Sequence, residues 1–591
     1  MQPSTRQTLI PPPRPMPLWI WRQLSRVTGI ERLDRMYRQL PSGLQGADFS
    51  LAALRELGVS FDITESEYEH IPTEGPVIIA ANHPFGGIDG LAAIAAIATR
   101  RPDFKVIATT ALASIPALTK LVIAVDNFGL PNKRGSNVIA VRQALRHVWG
   151  GGAILIFPAG EVASLDLSKG CITDPAWKRS ATTLIRSAKA PVVPLYVHGS
   201  NSVGFQLAGL LHPALRTALL PREVANKRGK RLDLRFGNPI PSERIATIDD
   251  SDKLEKLLRI RLYALAAPRP SIVDQQKKAP VASSAAPIEP AQPNYLLQRE
   301  IDSLMPSSLL TELGSLQVFV AGAAEVPTIL REIGRLREET FRAVGEGTGA
   351  SVDLDIFDQR YEHLFAWDSK KRCIVGAYRL VKIDRIRREH GRQGFYLTTL
   401  FDFREPFFVM MGPALELGRS FIRPEYQRGF APLLALWRGI AEYISRNPRY
   451  SKLIGPVSIS ADYDQASHAL LVRYLKWHHF DPVMASLVKP RAPFRATHTL
   501  ANLNREAQGI DGLDALSDLL PEQDAKRQVP VLLRQYLKLG GQVVGFNVDS
   551  NFGNCLDCLT IVDLKKTPDS VLSKYMSAES LQRFRKPVTR L

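Results

Sequence analysis

Short apolar runs alternate with amphipathic stretches through the first half of the chain. The runs at 76–81, 152–157 and 191–197 are bounded by Gly and Pro, as buried strands usually are. Between the first two runs, apolar residues recur at helical spacing from 138 to 148, with arginines on the other side. This alternation predicts a layered α/β fold in which active residues lie at strand ends.

The second half follows a different order. A helical segment at 326–344 comes before a predicted hairpin, with strands at 363–367 and 373–383 around the polar turn DSKK. A strand, a loop and an amphipathic helix then follow one another between 414 and 446. Strand, loop and helix in this order are typical of a turn that cradles a phosphate.

A segment rich in Ala, Pro, Ser and Gln separates the two halves. Residues 267–295 have almost no large apolar side chains, so they cannot bury enough surface to fold. The sequence therefore predicts two domains, 1–266 and 296–591, joined by a disordered linker.

The composition is that of folded domains with a surplus of basic residues. The chain has 591 residues, of which 45% are hydrophobic and 23% are charged, as in ordinary globular proteins. Its 76 Lys and Arg against 58 Asp and Glu give 76 − 58 = +18. Such a surplus favours an acidic partner, which is nucleic acid, an anionic membrane face or an acidic protein.

Four cysteines in this length exclude a disulfide framework and suit a reducing compartment. Cys555 and Cys558 form a C-x-x-C, but no second pair or histidine cluster accompanies them. Cys171 and Cys373 lie far away in the sequence. We therefore expect structural thiols and no metal site.

The N-terminal segment allows two interpretations. No run of about 18 apolar residues exists, and prolines and arginines interrupt the start, so we expect neither a transmembrane helix nor a signal peptide. Trp19 and Trp21 beside Arg22 and Arg26 suit a helix lying in a membrane interface. The alternative is a helix packed on its own domain.

The stretch NHPFGGIDG, after the strand at 76–81, carries the first candidate chemistry. A hydroxyl that attacks a thioester needs a base, and a neutral His83 is suited to that role near pH 7. Asp89 can hold the other ring nitrogen, and Gly86 and Gly87 let the loop double back so that the two meet. In the alternative, Asp89 caps the following helix and His83 is a hydrogen-bonded residue of the turn.

This stretch, the block FPAGEVAS and the run PVVPLYV together resemble the glycerolipid acyltransferase family over residues 60–240. The resemblance implies an α/β acyltransferase with a catalytic His83 and Asp89. It also implies a set of residues that bind the acceptor, which are Arg134, Phe157, Pro158, Gly160 and Glu161.

Two departures from the family pattern affect the substrate. Five residues rather than four separate His83 from Asp89, which the double glycine can absorb. Ala159 stands in place of the acidic residue of the family's FPEG block, with Glu161 two places later. The second departure predicts an acceptor other than glycerol phosphate. For Arg134, a solvated loop charge is the alternative.

The stretch LELGRSFIRPEYQRGFAPLLALWRGIAEYI resembles GNAT-fold N-acyltransferases that make N-acyl amino acids, with a match over 315–570. The resemblance implies that Glu416 takes the proton of the attacking amine. The backbone N–H groups of Gln427, Arg428 and Gly429, at a helix start, are suited to hold the phosphopantetheine phosphate of the donor. Arg419 and Arg423 are suited to bind that phosphate or the acidic carrier protein, and salt bridges at the edge of the core are the alternative.

Two further features of this half bear on its substrates. Tyr426 stands where the usual GNAT signature has Arg or Gln, which argues against acetyl-CoA more than against a carrier protein. Asp353, Asp355 and Asp358 form an acidic cluster suited to a cationic amino acid, and a solvated acidic loop is the alternative.

Two such domains on one chain resemble the bifunctional bacterial ornithine-lipid synthases. The resemblance implies that the second domain joins a 3-hydroxyacyl chain to the α-amine of an amino acid, and that the first domain acylates its hydroxyl. It implies acyl-carrier protein or acyl-CoA as thioester co-substrate, without another cofactor. The +18 charge suits that acidic carrier and the inner leaflet, so we expect a peripheral protein at the cytoplasmic face of the inner membrane rather than one that binds nucleic acid.

Two rival functions stay open. One is a lysophospholipid or 1-acylglycerol-phosphate acyltransferase with an inert GNAT-like domain. The other is a hemolysin-like protein that perturbs membranes without catalysis, although a pore former has no need of His83, Asp89 or Glu416. The sequence does not choose among ornithine, lysine, glycine and glutamine as the amino acid.

Overall fold

The chain folds as two compact units. The computed structural model describes residues 16–125, 134–167, 170–267, 285–496, 510, 512–520 and 529–586. Of these, residues up to 267 belong to the first unit, and residues from 285 onward belong to the second.

The first unit is built around a twisted, mostly parallel sheet. Its strands are β1 (Ser60–Asp62), β2 (Val77–Ala81), β3 (Lys105–Thr109), β4 (Val122–Val125), β5 (Ala153–Ile156), β6 (Ser164–Asp166), β7 (Cys171–Thr173), β8 (Val192–Val197) and β9 (Arg231–Phe236). The order in the sheet is β1-β9-β8-β2-β5-β3-β4, and β6 pairs with β7 in a separate hairpin. Only the β8–β9 pair in the sheet is antiparallel among the described strands.

Helices cover both faces of this sheet. They are Leu18–Val27, Ile30–Gln39, Gly46–Glu56, Glu65–Glu69, Ile88–Ala98, Thr110–Ala113, Arg134–Trp149, Arg179–Ala188, Val203–Leu211, Pro213–Ala225, Ser242–Ala246 and Ser251–Ala264. Strand β2 shows why two layers form, because its residues alternate between two hydrophobic cores. Val77, Ile79 and Ala81 enter one core, while Ile78 and Ala80 enter the other. The predicted α/β layer is confirmed.

The second unit is built around one long, mostly antiparallel sheet. Its strands are β10 (Leu309–Leu313), β11 (Leu316–Gly322), β12 (Glu362–Asp368), β13 (Cys373–Lys382), β14 (Phe401–Phe403), β15 (Ala414–Ile422), β16 (Lys452–Ile459), β17 (Val488–Pro490), β18 (Gln542–Asp549) and β19 (Cys555–Asp563). The main sheet has the order β10-β11-β12-β13-β15-β16-β19-β18, and β14 pairs with β17. The predicted hairpin corresponds to β12 and β13.

The helices of the second unit include the two that the sequence predicts. They are Asn294–Ser303, Pro327–Arg342, Ile383–His390, Glu405–Met411, Ala431–Arg446, Gln465–His478, Pro482–Ala485, Gly512–Leu519, Val531–Lys538, Asp569–Leu572 and Ala578–Arg585. Short 3-10 helices occupy Pro306–Ser308, Arg392–Gly394, Tyr396–Thr399 and Pro424–Tyr426. The predicted segments at 326–344 and 433–446 match Pro327–Arg342 and Ala431–Arg446.

Strands β15 and β16 separate inside the sheet. They run parallel, but they pair only from Ala414 to Glu416 against Lys452 to Ile454. Beyond that point Gly455 lies so close to Leu417 that an added Cβ would be 2.3 Å from the Leu417 carbonyl oxygen. Glu416 is thus the last residue of β15 that pairs with β16.

The predicted linker is shorter than the sequence suggests. Residues 268–284 lie outside the described residues, but 285–295 contact the second unit. Glu289 forms an ion pair with Arg331 at 2.6 Å, and the Gln292 N–H donates to Glu332. Because these polar contacts hold a segment that lacks large apolar groups, we assign 285–295 to the second unit.

None of the helices in the described part of the chain combines the length and the apolar character needed to cross a membrane.

Candidate active sites

The loop after β2 brings His83 and Asp89 together. The His83 Nδ1 lies 3.0 Å from Asp89 Oδ2, and the His83 side chain is 18% exposed while Asp89 is fully buried. Asp89 Oδ2 also accepts the N–H groups of Phe85 and Gly86 at 2.9 and 3.3 Å. Gly86 has a φ of +89°, and a Cβ there would lie 2.7 Å from Leu220. The loop therefore needs glycine at this position in order to fold back.

Asp89 does not cap the following helix. The helix Ile88–Ala98 has Gly87 as its N-cap, and no side chain caps it. The Asp89 Oδ2 accepts from the loop and from the imidazole, while its Oδ1 accepts the neighbouring Gly90 N–H at 2.9 Å. The geometry thus favours the orienting role of Asp89 over the capping alternative.

The electrostatics of this pair suit a general base. Burial lowers the pKa of His83, but the charges of Asp89 and Asp174 and the Asp89 hydrogen bond raise it, and the net shift is upward. Burial raises the pKa of Asp89, but His83 and the loop N–H groups lower it below its ordinary value. With its proton on Nδ1 facing Asp89, the imidazole presents Nε2 as a proton acceptor.

Asp174 is a third member of this site that the sequence did not reveal. It follows β7, it is fully buried, and its Oδ1 accepts the His83 N–H at 3.2 Å. Its own N–H donates to the Tyr263 hydroxyl at 3.0 Å, and its Oδ2 has no hydrogen-bond partner in the described structure. Burial raises its pKa to about 6. No spacing rule links Asp174 to His83, because 91 positions separate them.

Asp174→Asn is expected to shift the acid limb of any reaction that uses His83 as a base to lower pH. Asn keeps the acceptor for the His83 N–H but removes a charge that raises the pKa of His83, so the neutral base persists at lower pH. Asp89, Arg259, Tyr196 and Tyr263 are the other titratable groups that act on the two residues. The measurement is kcat/KM against pH, with the exposed Asp249→Asn as control. An unshifted acid limb contradicts this role.

The predicted acceptor block lies partly against the catalytic pair. The Phe157 ring is 4.4 Å from the His83 ring, centroid to centroid. Pro158 accepts the Lys178 N–H, and Gly160 closes a turn by donating to the Phe157 carbonyl at 2.9 Å. Ala159 is buried and packs into the core. The block therefore forms a wall beside the imidazole.

Of the two charged residues predicted for the acceptor site, the structure describes the side chain of Glu161 but not that of Arg134. Glu161 lies at the surface, paired with Lys178 at 3.1 Å and Arg216 at 3.3 Å. Arg134 begins the helix Arg134–Trp149, but its side chain lies outside the described residues. Its role as an acceptor ligand stays a prediction.

Glu416 lies in the second unit, where β15 and β16 separate. It is buried, its Oε2 accepts the Tyr361 hydroxyl at 2.5 Å, and its Oε1 accepts the Leu397 N–H at 3.0 Å. The Tyr396 N–H donates in turn to the Tyr361 hydroxyl oxygen at 2.8 Å. Burial raises the pKa of Glu416 to about 7, which is the range that suits a general base at neutral pH.

The acidic cluster predicted to bind a cationic amino acid is paired with arginines instead. These pairs are Arg337–Asp358 at 2.7 Å, Arg379–Asp358 at 3.2 Å, Arg379–Asp355 at 2.7 Å and Arg419–Asp353 at 3.4 Å. The Arg337 and Arg379 charges hold the pKa of Asp358 well below its ordinary value despite burial. Because arginines balance their charge inside the fold, Asp355 and Asp358 are better explained as support for the site than as cation ligands. Asp353 lies 3.4 Å from Arg419, but burial still raises its pKa and its Oδ2 has no hydrogen-bond partner in the described structure, so its role stays a prediction.

The predicted donor residues extend from a bulge in β15 to an exposed loop. Arg419 has a φ of +48°, which is unusual for a residue with a side chain, and its guanidinium lies 5.1 Å from the centroid of the Tyr396 ring. Arg423 donates to the Ile374 carbonyl and pairs with Glu425.

The loop itself lies at the start of a helix. Gln427, Arg428 and Gly429 are exposed, directly ahead of the helix Ala431–Arg446. The Gln427 and Gly429 N–H groups donate to the Pro424 and Tyr426 carbonyls at 3.2 and 3.4 Å, and Pro432 in the first helical turn has no N–H, so the phosphate site at this loop stays a prediction. Tyr426, the departure from the GNAT pattern, donates its hydroxyl to Asp368 at 2.9 Å and so ties the loop to β12.

Comparison with known families divides the chain in the same way as its fold. Residues 12–267 match a family described as acyltransferase, and residues 336–438 match the acetyltransferase (GNAT) domain.

Three curated relatives are similar to parts of this chain. The glycine N(alpha)-acyltransferase of Phocaeicola vulgatus is 31% identical over 250 residues, which are 40% of this chain and 76% of that protein. The L-ornithine N(alpha)-acyltransferase of Rhodobacter capsulatus is 31% identical over 246 residues, 40% of this chain and 85% of that protein. The lyso-glycine lipid O-acyltransferase of Bacteroides thetaiotaomicron is 27% identical over 204 residues, 33% of this chain and 71% of that protein.

Proposed function

We propose a two-step function from one premise: this chain belongs to the bacterial amino-acid N(alpha)-acyltransferase family, and it carries an acyltransferase domain ahead of its GNAT domain. It is therefore an acyltransferase, and the names of its relatives support an activity on aminolipids. The proposal is that both domains work in sequence on one product, an ornithine-type lipid.

The first step is N-acylation in the second unit. The α-amine of the amino acid attacks the thioester carbon of a 3-hydroxyacyl group, an N–C bond forms, and the C–S bond breaks. Glu416, ionised above a pKa of about 7, accepts the proton that the amine loses and then gives it to the departing thiolate. The hydrogen bonds from Tyr361 and Leu397 hold the carboxylate in position on β15.

The second step is O-acylation in the first unit. The 3-hydroxyl of the N-acyl product attacks a second thioester, and His83 Nε2 accepts the hydroxyl proton as the O–C bond forms. Asp89 holds the opposite ring nitrogen and stabilises the imidazolium, which then gives its proton to the departing thiolate. The His83–Asp89 contact at 3.0 Å, buried on the Asp89 side, is the observation that carries this assignment.

Acyl-carrier protein is the proposed donor, and the membrane surface is the proposed site of work. Both are acidic, and the chain carries a net charge of +18. A lyso-aminolipid acceptor also accounts for Ala159 in the acceptor block, because no phosphate has to be recognised there. We accordingly propose a peripheral protein at the cytoplasmic face of the inner membrane.

Lipid mass spectrometry of a host that lacks aminolipids tests this function. Expression of the full chain should yield an N-(3-hydroxyacyl) amino acid and its O-acylated product. Altered lysophospholipid acylation without any aminolipid would favour the rival function with an inert GNAT-like domain. Lysis without a new lipid would favour the non-catalytic rival.

Arg428→Glu is expected to weaken the use of acyl-carrier protein. Arg428 is exposed beside the helix start, so its charge can attract an acidic carrier without supporting the fold. The apparent KM for acyl-carrier protein should rise about threefold or more. Added salt screens the charges, so it should reduce the difference in KM between the variant and wild type. The control is Arg388→Glu on the exposed side of the helix Ile383–His390. Equal KM values for the three proteins would contradict a charge-assisted encounter at this loop.

A further inference from the structure

A second group of carboxylates lies in the second unit, on strands that follow the site of Glu416. Asp557 on β19 lies opposite Ser458 on β16, and Asp549 on β18 lies opposite Cys555. Since Cys555 and Asp557 are two positions apart, Asp549 and Asp557 lie diagonally on one face of the sheet. Both are at least nine-tenths buried, with exposed fractions of 7% and 3%.

Glu346 joins the two aspartates from a loop. An added Cβ at Gly553 would lie 2.0 Å from the Gly345 carbonyl oxygen, so the loop that carries Glu346 packs directly on the turn after β18. Burial, and after it the charge of Asp462, raises the pKa of Glu346 to about 7. We call Glu346, Asp549 and Asp557 the carboxylate trio.

The trio contains an oxygen atom that nothing in the fold satisfies. Asp557 Oδ1 accepts the Ser458 hydroxyl at 3.0 Å, but the buried Asp557 Oδ2 has no hydrogen-bond partner in the described structure. Burial, followed by the charges of Asp549 and Glu346, raises the pKa of Asp557 to about 7.

The trio also lacks a balancing charge. None of its carboxylates forms an ion pair with a described Lys, Arg or His, in contrast to Asp353, Asp355 and Asp358. Buried acids without a cation are costly, and a bound ammonium group would remove that cost.

The trio lies on the same side of the sheet as Glu416. Glu416 pairs with Ile454 on β16. Ser458 lies four residues beyond Ile454 on the same face of that strand, which is about 13 Å along β16. Tyr396 connects the two places, because its N–H reaches Tyr361 beside Glu416. Burial raises the pKa of its hydroxyl, the charges of Arg419 and Arg379 lower it, and the charges of Asp549 and Asp557 raise it.

We propose that the carboxylate trio binds the side-chain ammonium of a basic amino acid whose α-amine lies at Glu416. Ornithine carries both an α-amine and a side-chain ammonium, which are the two groups that Glu416 and the trio are suited to meet. This inference rests on the proposed N-acylation and names its substrate class, a diamino acid rather than glycine.

Calorimetric titration of the full chain with L-ornithine, L-norvaline and glycine tests the site. Norvaline has the same carbon chain as ornithine but lacks the side-chain ammonium. Wild type should bind ornithine about tenfold or more tightly than norvaline. Asp557→Asn and Asp549→Asn should remove that preference and leave norvaline binding unchanged. Asp563→Asn, at the other end of β19, is the matched control and should keep the preference.

Equal binding of ornithine and norvaline by wild type, or an undiminished preference in Asp557→Asn, overturns the proposal. A parallel N-acylation assay on the same proteins separates this outcome from failure of the proposed function. Acyl transfer to glycine without a preference for ornithine would refute the ammonium site at the trio but support the proposed N-acylation. Tight ornithine binding that depends on Asp557, without any acyl transfer, would support the ammonium site at the trio but refute the proposed N-acylation.

Discussion

His83→Ala is expected to abolish the second acylation and to leave the first intact, so that the N-acyl amino acid accumulates. The imidazole is the group placed to accept the hydroxyl proton, while N-acylation depends on residues of the second unit. Asp89→Asn should be nearly as severe, because the amide no longer fixes the tautomer of the imidazole; in a serine protease that change costs about ten-thousandfold in turnover. Mass spectrometry of mono- and diacylated lipid gives the result.

Thermal unfolding of the same variants separates catalysis from stability. His212→Ala, at the exposed start of the helix Pro213–Ala225, is a matched histidine control and should retain O-acylation. A helix cap contributes about 1 kcal/mol, so a purely structural Asp89 would lower the melting temperature by a few degrees and spare activity. A folded His83→Ala protein that still makes normal diacylated lipid would remove His83 from the mechanism.

Glu416→Gln is expected to lower N-acylation by about a hundredfold or more, since Gln keeps the shape of the side chain but cannot accept a proton. Wild-type kcat/KM should rise with pH through about 7, because the carboxyl must be ionised to act and burial raises its pKa to that value. The variant should lose this acid limb. The measurement is the rate of N-acyl amino acid formation from pH 5.5 to 9.

The same assay contains its own controls. O-acylation of added lyso-aminolipid by Glu416→Gln should match wild type, because that step depends on His83 in the first unit. Glu312→Gln, on the exposed edge strand β10, should leave both steps unchanged. If Glu416→Gln forms N-acyl product at the wild-type rate with the same pH profile, another group is the base.

Local pattern was enough to predict the elements and the nearest catalytic contacts. The apolar run of β2 alternates between two cores, and its polar continuation carries His83 and Asp89 only six positions apart. Because only one turn of the chain separates His83 from Asp89, the glycine in that turn and the start of the following helix determine how the two side chains meet. Glu416 was predictable for a related reason, because the motif that surrounds it is continuous along β15 and the following helix.

Contacts between distant segments were decided by the tertiary structure alone. Asp174 reaches His83 from 91 positions away, and Asp353, Asp355 and Asp358 meet arginines of other elements rather than solvent or ligand. The carboxylate trio likewise depends on the register of three strands. The sequence pattern predicts on which face of its own helix or strand a residue lies. Which charged group lies next to that residue depends on which strands become neighbours in the sheet. That pairing is set by packing of the whole unit, and it determines whether an acidic residue is neutralised or left to bind a cation.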